Sequence, residues 1–443
     1  MIMASRGMFS ILELLFMVLA VGKVAVATSR NSKSNCAFAA IYSFGDSFAD
    51  TGGMSAAFGP VPPPHGETFF GKPSGRLCDG RLIIDFMAVG KVAVATSRNS
   101  KSNCAFAAIY SFGDSFADTG GMSAAFGPVP PPHGETFFGK PSGRLCDGRL
   151  IIDFMAEYLG LPYLSAYLDS IGTTFAKGAN FASAGSSIRP GPRSPFFLAL
   201  QVSQFIQFKA RTAELYNNSK NRGSLPNPKD FSKALYTFDI GHNDLAFGFL
   251  NTTEDQVHLA FPDILAQFSQ AVQRLYIEGA RAFLVHNVGP IGCDPFGVAM
   301  YPPKNTTLDK NRCAVAQNEA VQEFNRQLKD TVVQLRKQLP LAAITYIDVY
   351  KVKFSLIDDA RNQGFEDPWS FCCGILEPKL VLFCGTKSED NNTTRVATSC
   401  TDPSKIISWD GVHFSEAANK WVVKKLFDGS SSDPPVPINQ ACP

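Results

Sequence analysis

One stretch of this chain occurs twice, and that constrains the fold before anything else does. Ala20–Ala88 and Ala88–Ala156 are identical, a period of 68 residues without one substitution. Solenoid arrays need several units that stack, and they diverge as they do so; two undiverged copies make no such array. The repeated unit begins inside a leader. Val89-Gly90-Lys91-Val92-Ala93-Val94-Ala95 therefore reproduces, in mid-chain, the tail and cleavage site of a targeting segment. That tail has no structural task there, so the duplication has the form of a recent exon duplication or a gene-model error. Only one copy can supply the first strand of a sheet. The second runs directly into Glu157-Tyr158-Leu159-Gly160 and completes a helix begun at Asp153, whereas the first breaks into Val89-Gly90. Residues 96–430 are expected to form the folded domain. Residues 28–95 are expected to be a poorly accommodated appendage, and 431–443 a C-terminal tail. Without one copy and the leader, roughly 350 residues remain, enough for one large domain with a sizeable core.

Met1–Ala27 has the layout of a secretory signal peptide: Arg6 in a short basic start, a largely apolar Met8–Val21 carrying Glu13, and the small-x-small site Ala25-Val26-Ala27. The run is too short for a comfortable membrane span, so stable membrane insertion is not expected. Sequons at Asn217, Asn251, Asn305, Asn391 and Asn392 lie in polar, loop-like contexts and suit a glycosylated, extracellular (apoplastic) protein. Cys293, Cys313, Cys372, Cys373, Cys384, Cys400 and Cys442 cluster late, and in an oxidising compartment they are expected as disulfides. Cys293 with Cys313, and pairs within 372–400, follow from closeness alone. No CxxC or HExxH supports a metal site. Lys and Arg number 41 against 39 Asp and Glu, without basic runs, which gives no electrostatic footprint for nucleic acid. The 37 Phe are assigned mainly to the core.

Ala107–Phe112, Ala234–Ile240, Ala282–His286 and Ala342–Val349 are short apolar runs of the buried-strand type. Asp255–Glu278 and Cys313–Leu335 carry apolar residues at helical spacing. Alternation of the two predicts an α/β single domain, a parallel sheet flanked by helices on both faces. In such folds sites lie outside the carboxyl ends of the strands. The prolines of Gly127–Gly134 exclude a strand there and predict an ordered loop, and Pro128–Gly134, with His133, could border an acyl pocket.

Chemistry-bearing residues stand where that rule wants them. Gly113-Asp114-Ser115 ends the first strand, and Asp410-Gly411-Val412-His413 lies near the far end of the chain. A serine hydroxyl is a poor nucleophile until a positioned base takes its proton. An imidazole serves when a carboxylate fixes its tautomer and stabilises the imidazolium. Asp410 and His413, three residues apart, can both sit beside Ser115. Oxyanion donors could come from the small-residue run Gly178–Gly185 and from the Asn243 amide in Gly241-His242-Asn243-Asp244. Taken singly, a satisfied histidine, a tight turn and an Asx-turn explain the same residues. Gly134–Lys140 matches GxxxxGK, but Pro141 replaces the cation-binding hydroxyl. GxSxG is absent, and no spacing singles out a carboxylate pair for glycoside hydrolysis.

Together, Phe112-Gly113-Asp114-Ser115, Gly178–Gly185, Gly241-His242-Asn243-Asp244 and Asp410-Gly411-Val412-His413 resemble the blocks of the SGNH superfamily, the GDSL-motif esterases and lipases, and in particular their large secreted plant branch. The resemblance spans about residues 105–430 and implies an SGNH/flavodoxin-like three-layer sandwich. It also implies a serine esterase using Ser115, Asp410 and His413 through an acyl-enzyme, with Ser115, Gly185 and Asn243 around the oxyanion. No cofactor or metal is required, and the expected partner is a small-molecule ester. Gly121 departs from the family pattern, which usually has Asn there. The duplication offers Ser47, in Gly45-Asp46-Ser47, as a rival nucleophile. Other readings stay open: an acyltransferase with the same triad, an α-L-fucosidase of the kind some plant relatives are labelled, and a non-catalytic secreted binding protein.

Overall fold

The computed structural model describes residues 50, 53–58, 65 and 104–443, apart from 170, 219–221, 301–306, 378–379 and 391–392. The leader Met1–Ala27, the rival block around Ser47, the repeated tail 89–95 and the sequons Asn305, Asn391 and Asn392 lie outside the described residues. The other two sequons sit at helix ends rather than in loops: Asn217 is in the last turn of Leu198–Asn218, and Asn251 closes His242–Asn251. Both are exposed.

The four apolar runs form strands close to where periodicity placed them, β1 (Ile109–Gly113), β3 (Leu235–Asp239), β4 (Ala282–His286) and β5 (Ala343–Ile347), and the small-residue run adds β2 (Gly178–Asn180). Their order across the sheet is β2-β1-β3-β4-β5, all parallel, with the antiparallel β10 (Ser432–Asp433) on the far edge. Strand order reverses between β1 and β3, which makes the carboxyl ends of those two strands the switch point of a doubly wound sheet. Four short strands, β6 (Ile375–Glu377), β7 (Leu380–Leu382), β8 (Lys387–Asp390) and β9 (Thr393–Val396), pair as two hairpins outside it.

Helices cover both faces. Alternate residues of a strand point to opposite sides, so one sheet carries two cores. Tyr110, Phe112, Tyr236, Phe238, Phe283 and Tyr346 pack beneath the helices Leu198–Asn218, Glu254–Ile277 and Val315–Gln338. Many of the phenylalanines meet here: Phe181, Phe205, Phe208 and Phe231 stack or meet edge-on around Tyr110 and Phe112. Ile109, Leu235, Ala282, Leu284 and Ile347 face the other way, toward Ile151–Tyr158, Val349–Asp358 and Glu416–Leu426.

The second copy of the duplicated stretch supplies β1. The helix that the first copy repeats, Gly53–Phe58, is described as well; Ala57 O accepts from Gln204 Nε2 at 3.2 Å, and Ser55 is buried. The segment after residue 430 adds β10 to the sheet, and its Cys442 is joined to Cys104. Among the described residues the other disulfides are Cys293–Cys313, Cys372–Cys400 and Cys373–Cys384, the last two clamping the hairpins, and Cys146 is a buried free thiol.

Arg144 and Asp153 form a buried two-point ion pair (Nε–Oδ2 2.7 Å) that ties the loop after β1 to the helix Ile151–Tyr158. Asp153 Oδ2 also accepts the Leu150 N–H at 2.9 Å. Removing one member strands the other charge out of water. Arg144→Met is therefore expected to lower unfolding free energy by about 3–5 kcal/mol in denaturant titrations, with Arg144→Met/Asp153→Leu costing less than the single change.

Candidate active site

The chain turns sharply after β1. The Asp114 N–H donates to Asp239 O (3.1 Å) and the Ala117 N–H to Asp114 O (3.1 Å), so Ser115 sits at the tip of a tight turn over the switch point. Strand β3 runs so close that a Cβ at Gly113 would lie 2.4 Å from Asp239 O; only glycine fits. Gln201 secures the strand end from the neighbouring helix, donating to Gly113 O and accepting from Gly113 N–H, both at 2.8 Å. No local signal around Gln201 marks it for this task.

Two carboxylates bind the separate blocks into one site. Asp118 Oδ2 accepts the N–H of Ala184 (2.8 Å) and of Met122 (3.0 Å), and its Oδ1 accepts from Gly120 (2.7 Å). Burial pushes the Asp118 carboxyl up, and these donors oppose it. They hold the turn that contains Gly121. At position 121 a Cβ would meet Ala182 O at 2.4 Å, which accounts for the glycine. Asp244 likewise accepts from Ile188 N–H (2.7 Å) and Arg189 N–H (3.1 Å), joining the Asn243 block to the Gly185 block. Burial pushes its carboxyl up to about 6 against those bonds.

Asp410 Oδ1 accepts the backbone N–H groups of Val412 (3.0 Å) and His413 (2.8 Å), closing a small turn, and its Oδ2 lies 2.6 Å from His413 Nδ1. Burial alone would raise the Asp410 carboxyl; the imidazole and the two N–H donors outweigh it and hold the group below the usual carboxylate range. The anion therefore takes the Nδ1 proton as a hydrogen bond and leaves the Nε2 lone pair to face outward. Nε2 lies 2.7 Å from Ser115 Oγ, across 298 residues of sequence. The hydroxyl donates and the imidazole accepts.

The Ser115 and Gly185 N–H groups make no hydrogen bond among the described residues. Asn243 Nδ2 donates one hydrogen to Ser186 O at 2.9 Å, which orients the amide and leaves its second N–H unused. Ser115, His413 and Asp410 thus stand in line, and Asn243 is tied to the residue after Gly185, while Ser47 lies outside the described residues. His133, from the proline loop, is buried with Nδ1 donating to Pro130 O at 2.8 Å. Burial lowers its pKa, with Asp410 and His413 both near enough to be felt. Its imidazole therefore favours the uncharged form.

The arrangement can add a hydroxyl oxygen to a trigonal carbon and stabilise the resulting oxyanion. Comparison with known proteins places the chain in a family of ester hydrolases. Residues 109–426 match the model of a family described as GDSL-like lipase/acylhydrolase. The chain is 50% identical over 378 residues to a GDSL esterase/lipase of Arabidopsis thaliana, covering 83% of this chain and 97% of that protein. It is 48% identical over 355 residues to one of Zea mays, covering 77% and 90%. A further Arabidopsis thaliana relative, 46% identical over 367 residues and covering 79% of this chain and 98% of its own, bears the name alpha-L-fucosidase 3.

Proposed function

Because the chain belongs to the GDSL-like lipase/acylhydrolase family and is a hydrolase of ester bonds, we propose that it works as a secreted serine esterase through Ser115, His413 and Asp410. His413 Nε2 takes the hydroxyl proton as Ser115 Oγ attacks the ester carbonyl. The charge that develops on the carbonyl oxygen is met by the N–H groups of Ser115 and Gly185 and by the Asn243 amide. The imidazolium gives its proton to the departing alcohol, leaving an acyl-enzyme. Water, deprotonated by the same imidazole, releases the acid and restores the hydroxyl.

The observation that carries this reading is the unbroken line Asp410 Oδ2–His413 Nδ1 (2.6 Å) and His413 Nε2–Ser115 Oγ (2.7 Å). The test is inactivation by a serine-directed phosphonate, followed by release of chromogenic acetate. Peptide mass cannot place the label, because the sequences around Ser47 and Ser115 are identical. The variants Ser47→Ala and Ser115→Ala place it. A chromogenic fucoside assayed in parallel asks whether the name of the fucosidase relative extends to this chain; turnover of the fucoside alone would overturn the esterase reading.

Secretion is supported by the leader and by four disulfides among the described residues, since such bonds persist in oxidising compartments. Among the described residues no helix is long and apolar enough to cross a membrane. We further propose that residues 28–95 are not an independent domain. Excising one 68-residue copy while keeping the leader is expected to leave ester turnover unchanged. A marked loss would show that the helix Gly53–Phe58 against Gln204 is integral to the fold.

A further inference from the structure

Behind the reacting groups lies a buried cation that the hydrolysis, as written above, does not use. Lys353, on the helix Val349–Asp358, is 6% exposed. Its Nζ stands 4.3 Å from the centre of the Phe116 ring and 4.9 Å from that of Phe414. These rings belong to the residues immediately after Ser115 and His413. Among the described residues Nζ makes neither an ion pair nor a hydrogen bond. The stem reaches this position past Gly289, where a Cβ would come within 3.3 Å of Lys353 Cδ. The Phe116 ring in turn touches the imidazoles of His413 (5.3 Å) and His242 (5.0 Å).

A desolvated ammonium is attracted to the face of an aromatic ring, more strongly than in water. One cation held by two rings therefore couples the segments that carry them. We propose that Lys353 is a positioning residue for ester hydrolysis, its ammonium drawing Phe116 and Phe414 onto one point and so setting the spacing between the Ser115 hydroxyl and the His413 imidazole. The inference rests on the Ser115–His413 reading given above, and adds a residue to it from an element that carries none of the reacting groups.

The charge has a second consequence. Asp114 comes from the nucleophile turn, with its Oδ2 unpartnered and buried. Asp239 and His286 come from the ends of β3 and β4, 3.1 Å apart. His242, at the start of its helix, lies 3.5 Å from Asp294, and Arg193 acts on it from beyond. Asp410, His413 and the proline loop's His133 complete the set. Burial first, and Lys353 next, push His242 down to about 3. Burial also raises Asp114 and Asp294, while His286 holds Asp239 below its usual range against that effect. Lys353 is the one ammonium among these groups. Without it, protonation of His242 becomes easier.

The test is Lys353→Met, which keeps the stem and removes the charge, assayed on a chromogenic acetate with thermal unfolding in parallel. The folded variant is expected to lose about 10- to 100-fold in kcat with little change in KM, the scale of a misplaced reacting pair. A folded variant with normal kcat would overturn the proposal, because a merely structural lysine replaced by methionine alters stability alone. Phe414→Leu, which keeps Lys353 and removes one ring, decides the matter if the methionine variant does not fold. Lower kcat at constant KM supports the coupling, and normal kcat refutes it. Failure of the triad reading itself would appear separately, as activity retained in Ser115→Ala.

Discussion

Ser115→Ala is expected to lower ester turnover by on the order of 10⁶-fold and to abolish phosphonate labelling, because a nucleophile and its base act as a unit and loss of one forfeits what the pair achieves. His413→Ala is expected to abolish labelling too. Its Nε2 accepts the Ser115 hydroxyl proton at 2.7 Å, and no other imidazole is in hydrogen-bond contact with that oxygen among the described residues. Ser47→Ala is expected to change nothing. Strand β1 comes from the second copy, so Ser115 follows the strand that pairs with β2 and β3. Labelling retained in Ser115→Ala and lost in Ser47→Ala would move the nucleophile to the first copy. Labelling retained in His413→Ala would remove the imidazole from the mechanism while leaving the hydroxyl in it.

Asn243→Ala is expected to lower kcat by about 10² to 10³, with modest change in KM, since one oxyanion donor is typically worth on the order of 3 kcal/mol in the transition state. The geometry favours a large effect. One amide hydrogen is committed to Ser186 O at 2.9 Å, so the group is oriented before substrate arrives and needs no reorganisation during reaction. Losing that tie also costs stability, by about 1 kcal/mol. The two effects separate cleanly: a folded variant with normal kcat and a lowered melting temperature would leave Asn243 as a structural tie alone.

Much of this was legible without coordinates. The four core strands between Ile109 and Ile347 announce themselves as short apolar runs, and the long helices Glu254–Ile277 and Val315–Gln338 by their apolar spacing. Each is a property of a local window, and burial on both faces of a parallel sheet demands it. The hairpins between Ile375 and Val396 carry no such pattern, because two disulfides rather than an apolar face hold them. Cys293 with Cys313 follows from closeness, whereas Cys104 with Cys442, 338 residues apart, does not. The helix ends at Asn217 and Asn251 look like loops because their residues are polar.

The chemistry-bearing types also stood in the sequence: a serine after a strand, an aspartate and histidine three apart, small residues and an asparagine between. Residue type and local order decide which reaction a chain can attempt. Gln201, Asp118 and Lys353 were not legible in that way, since a buried glutamine, aspartate or lysine acquires its task only from what packs against it. Strand order brought the ends of β1 and β3 together, and folding returned His413 to Ser115 across 298 residues. Only the assembled sheet and its two cores could do that, because contact between distant segments depends on the summed burial of the whole domain and on no stretch of it read alone.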